Sequence, residues 1–372
     1  MKRGKDSAKK DIHTSSSSSS SGYAMPWLQQ YIAVQKRLFQ QYWRSPVYIM
    51  SKAFINLVGG LFLGFTFYKE PNSVAGLQNK TFSVFMLLLL SLVIIVQLQP
   101  RLIQYRELYE VREKHSKMYH WTVFVVASIA VEIPFNLVIA SLCFICWYFP
   151  IGWWQDISGG RGAMVWFIFM LYQLYHTSFS QSLAIVAPDA ETAAMLTILF
   201  YTFILAFTGV VQPLPQLVRF WHFAYYVSPF TYLVSAMMST ATHGVPVRCA
   251  EAEINIFNPP AGMTCGEYAG QFAQAALAAI YNPDDAEQCR FCRFAVADAY
   301  LAALNMSYGD RWRDFGYLCA FTAFNTVLFF AVYYLRYQAG VSARIFDAIS
   351  GVIPLEKLKQ ALFRVKPSGS KS

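Results

Sequence analysis

The sequence predicts an all-α integral membrane protein: six transmembrane helices after an amphipathic helix, with a re-entrant hairpin and a disulfide-bonded extracellular loop before the last span. Three observations predict it. Of 372 residues, 56% are hydrophobic and only 14% charged. Several apolar runs reach about 20 residues, the length that crosses the hydrocarbon core of a bilayer. Lys and Arg cluster in segments that six crossings would bring to one side. A soluble globular fold is excluded.

The first 25 residues are basic and then serine-rich, without the apolar stretch of a cleaved signal, and read as a disordered cytosolic linker, 1–25. Over 26–45, Leu28, Ile32, Leu38 and Phe39 stand among Lys36, Arg37 and Arg44, the pattern of an amphipathic connecting helix at a membrane face. The membrane domain is expected over 46–336, with spans at 46–68, 80–98, 120–149, 163–187, 190–211 and 312–336. The segment 216–239 competes as a further span, but it holds Arg219 and His222 and is broken by Ser228-Pro229, where proline removes a backbone donor.

Charge bears on that choice. With six spans and both termini cytosolic, 20 of the 30 Lys and Arg fall inside: before Pro46, in the 101–117 loop, and from Arg336 onward. A seventh crossing would move the last group, in the cytosolic tail 337–372, outside. The segment 216–239 is therefore expected as a re-entrant or interfacial hairpin, tolerated where protein covers its backbone; a true span is the alternative.

The region 212–311 is then extracellular. Sequons at Asn79-Lys80-Thr81 and Asn305-Met306-Ser307 fall on that same side and make Asn79 and Asn305 candidate glycosylation sites. Four cysteines there, Cys249, Cys265, Cys289 and Cys292, are most simply two disulfides with three possible connectivities. A zinc site is the rival reading, because Cys289 and Cys292 form a CxxC. Cys143, Cys146 and Cys319 lie within spans as free packing residues.

Chemistry-bearing motifs are sparse. The nearest approach to a phosphate loop, RGKDSAKK, lacks the leading glycine and the hydroxyl after lysine, so this chain is expected neither to hydrolyse ATP nor to hold a cofactor. His115, His120, His176, His222 and His243 are scattered without HExxH or paired-carboxylate spacing, which disfavours an intramembrane enzyme. No metal site and no nucleic-acid partner are expected. Glu132 stands about 12 residues into the third span, roughly 18 Å deep, where an acid is costly and faces a bundle interior or cavity. It reads as a polar gate or relay element, or as a helix–helix hydrogen bond beside Pro134. The 101–117 loop alternates Arg106, Glu107, Glu110, Arg112, Glu113, Lys114 and Lys117. That is a solvated face, or a short helix across the cytosolic side that another domain grips.

Several stretches are more specific: RLFQQYWRSPVYIMSK, REKHSKMYHWTVF, EIPFN, TGVVQPLPQLVRFWHFAYYVSPFTYLVSAMM and FNPPAGMTCGEYA. Through them the chain resembles the carboxyl-terminal membrane half of a fungal pleiotropic drug resistance ABC transporter of the G type, over nearly everything from Tyr23 to Leu335. The resemblance implies an ABC type-2 membrane domain in the plasma membrane, working with nucleotide-binding domains that supply ATP and Mg, and with a second membrane half. It implies that Tyr109, Glu110, Arg112, Glu113 and Tyr119 form a coupling region that carries nucleotide-domain closure to the spans. It also implies a cargo cavity lined by the second and fifth spans, here Met86, Leu89, Leu90 and Val93 with Tyr201, Thr202 and Leu205. Without the resemblance, a stripe at that spacing reads as helix packing. Val210 and Val211, just after Gly209, are expected as an outer hydrophobic gate, roofed by the hairpin and the cysteine loop.

The function expected is the membrane half of an ATP-driven exporter of hydrophobic xenobiotics or lipids, with membrane lipids and hydrophobic small molecules as partners. The alternative is a truncated or partner-dependent membrane subunit without autonomous transport.

Overall fold

The computed structural model describes residues 23, 25–156 and 160–339. The expected linker 1–25 and tail 337–372 therefore lie almost wholly outside the described residues. Helices dominate: α1 (Trp27–Trp43), α2 (Pro46–Thr66), α3 (Val74–Leu108), α4 (Trp121–Ile151), α5 (Trp153–Asp156), α6 (Arg161–Val186), α7 (Ala190–Ala206), α8 (His222–Val227), α9 (Pro229–Thr242), α10 (Cys265–Ala275), α11 (Ala297–Ala303) and α12 (Arg311–Tyr333).

Local chemistry sets their boundaries. Pro46 occupies the first turn of α2, where a missing N–H costs nothing. Ser73 caps α3 by accepting from the Gly76 N–H at 3.1 Å, and Asp189 caps α7 through the Thr192 N–H at 2.8 Å. α4 ends at Gly152, whose φ of 92° suits a residue without a Cβ.

Among the described residues, four helices are long and apolar enough to cross a membrane: α2, α3 with its terminal turn, α4, and α12 with its flanking turns. Two of the six expected spans fall short of that test. α6 has 26 residues but buries Tyr172, Tyr175, His176, Ser178, Ser180, Gln181 and Ser182, which dilute its apolar content. α7 is apolar but only 17 residues long.

The second span and the charged loop after it are one element. α3 runs 35 residues through Pro100, and a π-helical turn, Tyr109–Glu113, continues it. The helix survives because its charged end is anchored: Arg106 Nη1 donates to the Ala184 and Ala187 carbonyls at 3.0 and 2.7 Å, and Nη2 to Pro188 at 2.7 Å. A guanidinium thereby satisfies carbonyls that the end of α6 leaves open.

Ser228-Pro229 does break 216–239, into α8 and α9. Every α9 residue except Tyr232 is buried, and its 14 residues reach roughly 21 Å, short of the ~30 Å hydrocarbon core.

α2 packs along α4, and α12 along α6 and α9. The α2–α4 contact is close, because a Cβ on Gly64 would meet the Cys146 carbonyl oxygen at 2.4 Å. Between α9 and α12 lies a small unit with a three-stranded antiparallel sheet ordered β1 (Asn255–Phe257), β3 (Cys289–Cys292), β2 (Ala279–Ile280). It carries disulfides Cys249–Cys292 and Cys265–Cys289. These choose one of the three open connectivities, and no metal-binding cluster occurs among the described residues.

Candidate functional site

Glu132 is fully buried in α4 and is the hub of a polar cluster joining four helices. Lys52 Nζ of α2 lies 2.9 Å from its Oε2 and 2.5 Å from Asn136 Oδ1. The Tyr42 hydroxyl of α1 and the Tyr48 hydroxyl of α2 donate to Oε1 at 2.6 and 3.0 Å. Asn136 Nδ2 passes the chain on to Thr177 of α6 at 2.7 Å. The acid thus joins α1, α2 and α4 through a cation as well as through hydrogen bonds, an arrangement compatible with either the gate or the packing role. Burial in an apolar bundle leaves a carboxylate no better partner than a lysine on the facing helix.

The π turn and the residues after it form a second cluster. Arg37 of α1 reaches Glu113 through both terminal nitrogens, at 2.5 and 3.1 Å, and its Nη2 also reaches the Tyr119 hydroxyl at 3.2 Å. Tyr119 itself donates to Glu113. Burial and that bond push its phenol well up, so it stays a neutral donor. Glu110 accepts from Tyr333 and, at 2.9 Å, from Lys114, whose ammonium also reaches the Tyr337 carbonyl at 2.5 Å. Tyr109 stacks on Phe124 with centroids 5.1 Å apart.

Of the five expected coupling residues, Tyr109, Glu113 and Tyr119 are buried, Glu110 is half-buried and Arg112 is exposed. The solvated-face reading fails for Glu113: the segment is a knot tying α1 to α12. Val111, Arg112 and Met118 point outward from it.

The seven α3 and α7 positions do not share one environment. Leu89, Val93 and Thr202 are exposed, Met86 and Leu90 are half-buried, and Tyr201 and Leu205 are buried. Tyr201 donates to the Leu88 carbonyl at 2.5 Å and meets His176 Nε2 at 3.0 Å. Leu90 fits against Gly59, where a Cβ would come within 2.4 Å of it. After α7 the chain turns at Gly209, φ 79°, a conformation that leaves Val210 half-buried and Val211 exposed.

Asn79 and Asn305 are both exposed, Asn79 near the start of α3 and Asn305 in a positive-φ turn at 61°. Cys143, Cys146 and Cys319 are free.

Three participants escaped sequence reasoning. Lys52 and Arg37 read as ordinary residues of a span and an interfacial helix, and only the depth of Glu132 hinted that a cation was needed. Glu253, in the cysteine-rich unit, accepts from the N–H groups of Val74 and Ala75 at 3.2 and 2.7 Å, so a carboxylate sits on the N-terminus of α3. Burial alone would raise that carboxyl, but the backbone donors and Ser73 outweigh it and hold it below the usual carboxylate range.

Long apolar helices, one of them prolonged into a buried ionic knot at one end and bonded to a disulfide-containing unit at the other, define a multi-helix membrane domain. Residues 29–241, more than half of the chain, match the ABC-2 type transporter family, and the chain belongs to it. It is 41% identical over 329 residues to the Brefeldin A resistance protein of Schizosaccharomyces pombe, covering 87% of this chain and 22% of that protein. With the ABC multidrug transporter atrI of Aspergillus fumigatus it shares 41% over 312 residues, 84% of this chain and 21% of the relative. The ABC transporter CDR4 of Candida albicans is 39% identical over 317 residues, again 84% and 21%. The chain thus spans about a fifth of the length of the curated relatives it matches. Likeness to fungal ABC multidrug transporters agrees with the resemblance drawn from the motifs.

Proposed function

We propose that this chain is the membrane-spanning half of an ATP-driven exporter of hydrophobic xenobiotics or lipids, powered by nucleotide-binding domains and completed by a second membrane half. The observation that carries the reading is the ionic knot at the end of α3. Arg37, Glu113, Glu110 and Tyr333 bind that end to both α1 and α12, so a push on the knot moves a helix whose flank bears the expected cargo face.

Within this reading Tyr109, Glu110, Glu113 and Tyr119 transmit the motion, and the exposed Arg112 meets the nucleotide-binding domain. Leu89, Val93 and Thr202 face cargo with Met86 and Leu90 at the margin, while Tyr201 and Leu205 support them from behind. Large apolar surfaces with few hydrogen-bond demands suit chemically diverse lipophilic cargo. Val210 and Val211 form the outer gate.

The reading takes six spans, α6 and α7 included, both termini cytosolic in the plasma membrane, and α8–α9 as the re-entrant hairpin. The disulfide unit is then an extracellular lid, and Asn79 and Asn305 are glycosylation sites. The marginal length of α7 supports this, since it runs into the gate and hairpin and not into free solvent. The basic residues at the knot end, Arg101, Arg106, Arg112, Lys114 and Lys117, and the disulfides at the opposite end support the sidedness.

A chimera tests it. Replacing the matching segment of the S. pombe relative by this chain, in a drug-hypersensitive yeast, is expected to give energy-dependent efflux of at least some lipophilic compounds. A chimera present at the surface at wild-type level but exporting nothing from a chemically varied panel would reject the assignment.

A further inference from the structure

The disulfide unit carries an aromatic cup on one face of its sheet. Side chains alternate across a strand, and the pairing of Asn255 with Phe291 and of Phe257 with Cys289 puts Phe257, Phe291 and Cys289 on the same face. Cys289 is bonded to Cys265 at the start of α10, which brings that helix to this face. Tyr268 and Phe272 stand one turn apart on α10 and complete the cup. Tyr268 meets Phe257 with centroids 6.1 Å apart and planes at 61°, Phe257 meets Phe291 at 6.4 Å and 59°, and Phe291 meets Phe272 at 6.1 Å. Rings so inclined do not stack flat. With Ala269 they wall a cavity of about 460 Å³.

Two properties of the cup select a ligand. Four of its five lining residues are aromatic, and ring faces attract positive charge. Tyr268 and Phe272 are 52% and 66% exposed, so a ligand reaches them from solvent. The chain around the cup is acidic, although the protein as a whole carries a formal +9: between Cys249 and Cys289 stand six Asp and Glu and no Lys, Arg or His. Glu251 is taken by Arg290, which strand alternation places on the far face of the sheet, and Glu253 is taken by the start of α3. Among the described residues no cation pairs with Glu267, Asp284, Asp285 or Glu287. Glu267 lies in the first turn of α10. The other three lie on a loop bonded to that turn, where the Cys265 N–H donates to the Asp285 carbonyl at 2.8 Å and the Gly266 N–H to Pro283 at 2.7 Å.

We propose that this cup binds an organic cation, a quaternary ammonium or phosphonium centre carrying apolar substituents. The substituents fill the apolar volume, and the charge lies against the ring faces within the field of the acids. An anion meets the wrong sign in both. A small hydrated cation finds no set of oxygens in the lining to replace its water. A neutral hydrocarbon gains burial but nothing from rings or acids. None of these residues belongs to the expected cargo face on α3 and α7, and binding here does not depend on export.

The test uses the full chain in lipid nanodiscs with a matched pair of photoreactive probes: an aryl azide bearing a benzyltrimethylammonium group, and its uncharged isostere with carbon in place of the nitrogen. At equal free concentration, peptides spanning 255–257 and 289–292 are expected to take the cation about tenfold more than the isostere, the selectivity that contact with several ring faces gives. Tyr268→Leu with Phe272→Leu removes two exposed rings and leaves every acid in place, and should bring cation labelling down to the isostere level. Phe272→Trp, which offers a stronger ring face, should hold or raise cation labelling and covers the case in which the double variant fails to fold. Equal labelling by the two probes in the unaltered chain, or loss of cation labelling in Phe272→Trp, would overturn the proposal. Cation labelling that persists in the folded double variant would overturn it too, since the acidic surface alone would then account for the attraction.

Discussion

Lys52 Nζ and Glu132 Oε2 meet at 2.9 Å with both side chains almost wholly buried, across 80 positions of sequence. Removing one partner strands the other inside the bundle, which costs about 3–5 kcal/mol, whereas removing both costs much less. Glu132→Leu or Lys52→Met alone should therefore lower the unfolding midpoint in detergent markedly. The double variant should recover most of the loss, and a double variant no better than either single one would deny the pair its role.

The ionic knot makes a separate prediction about coupling. Arg37→Glu with Glu113→Arg should be more stable than the sum of the single changes by about 0.5–3 kcal/mol, the range for residues in contact. Reversal of the neighbouring exposed Arg112 should stay within about 0.5 kcal/mol. In the chimeric transporter, Glu113→Gln is expected to leave ATP hydrolysis running while efflux falls. Efflux that keeps pace with hydrolysis in that variant would return the knot to a purely structural role.

Much of this architecture was legible in sequence because the bilayer imposes length and polarity locally. The apolar runs, the Ser228-Pro229 break and the paired cysteines each carry their meaning within a few residues. What stayed hidden depends on distant contacts. Arg37 and Glu113 are 76 positions apart, and nothing local marks Glu113 as buried among exposed neighbours. Pro100 and the charges after it read as the end of a helix, yet Arg106 finds carbonyls on α6 and the helix continues. Strands of two to four residues are too short to show a period. A stripe such as Leu89, Val93, Tyr201 and Leu205 looks uniform until packing splits it into exposed and buried members.

The disulfides can be checked chemically. Alkylation of unreduced, denatured protein should modify only Cys143, Cys146 and Cys319, and peptide mapping should recover Cys249 with Cys292 and Cys265 with Cys289. Loss of the longer loop closure, by Cys249→Ser with Cys292→Ser, is expected to cost about 2–4 kcal/mol. Any crossed pair in the map would contradict the fold of the unit.

Acid should loosen the link between that unit and α3. The Glu253 carboxyl is held below its ordinary value of 4.5, so its contribution is fully present above that pH and is lost as pH falls through the lowered folded value. Glu253→Gln should flatten this acid limb and reduce the hydrogen-exchange protection of the Val74 and Ala75 amides at neutral pH. Unchanged protection in the variant would show that the carboxylate does not hold the helix end.

The last prediction separates cargo contact from support on α3 and α7. Leu89, Val93 and Thr202 are exposed, so alanine there removes little packing and should change which compounds the chimera exports while leaving surface expression near normal. Tyr201 and Leu205 are buried, and Tyr201 also bridges His176 and the Leu88 carbonyl. Leu205→Ala should cost about 2–5 kcal/mol through lost contacts and a cavity, and Tyr201→Phe should weaken the helix contact by leaving His176 and a carbonyl without their partner. Both should depress expression and resist every compound to the same proportion. The decisive measurement is resistance to a varied lipophilic panel, normalised to surface expression for each variant. A selective profile for Leu205→Ala at full expression would place that side chain on the cargo surface, and uniform loss for Leu89, Val93 and Thr202 would remove them from it.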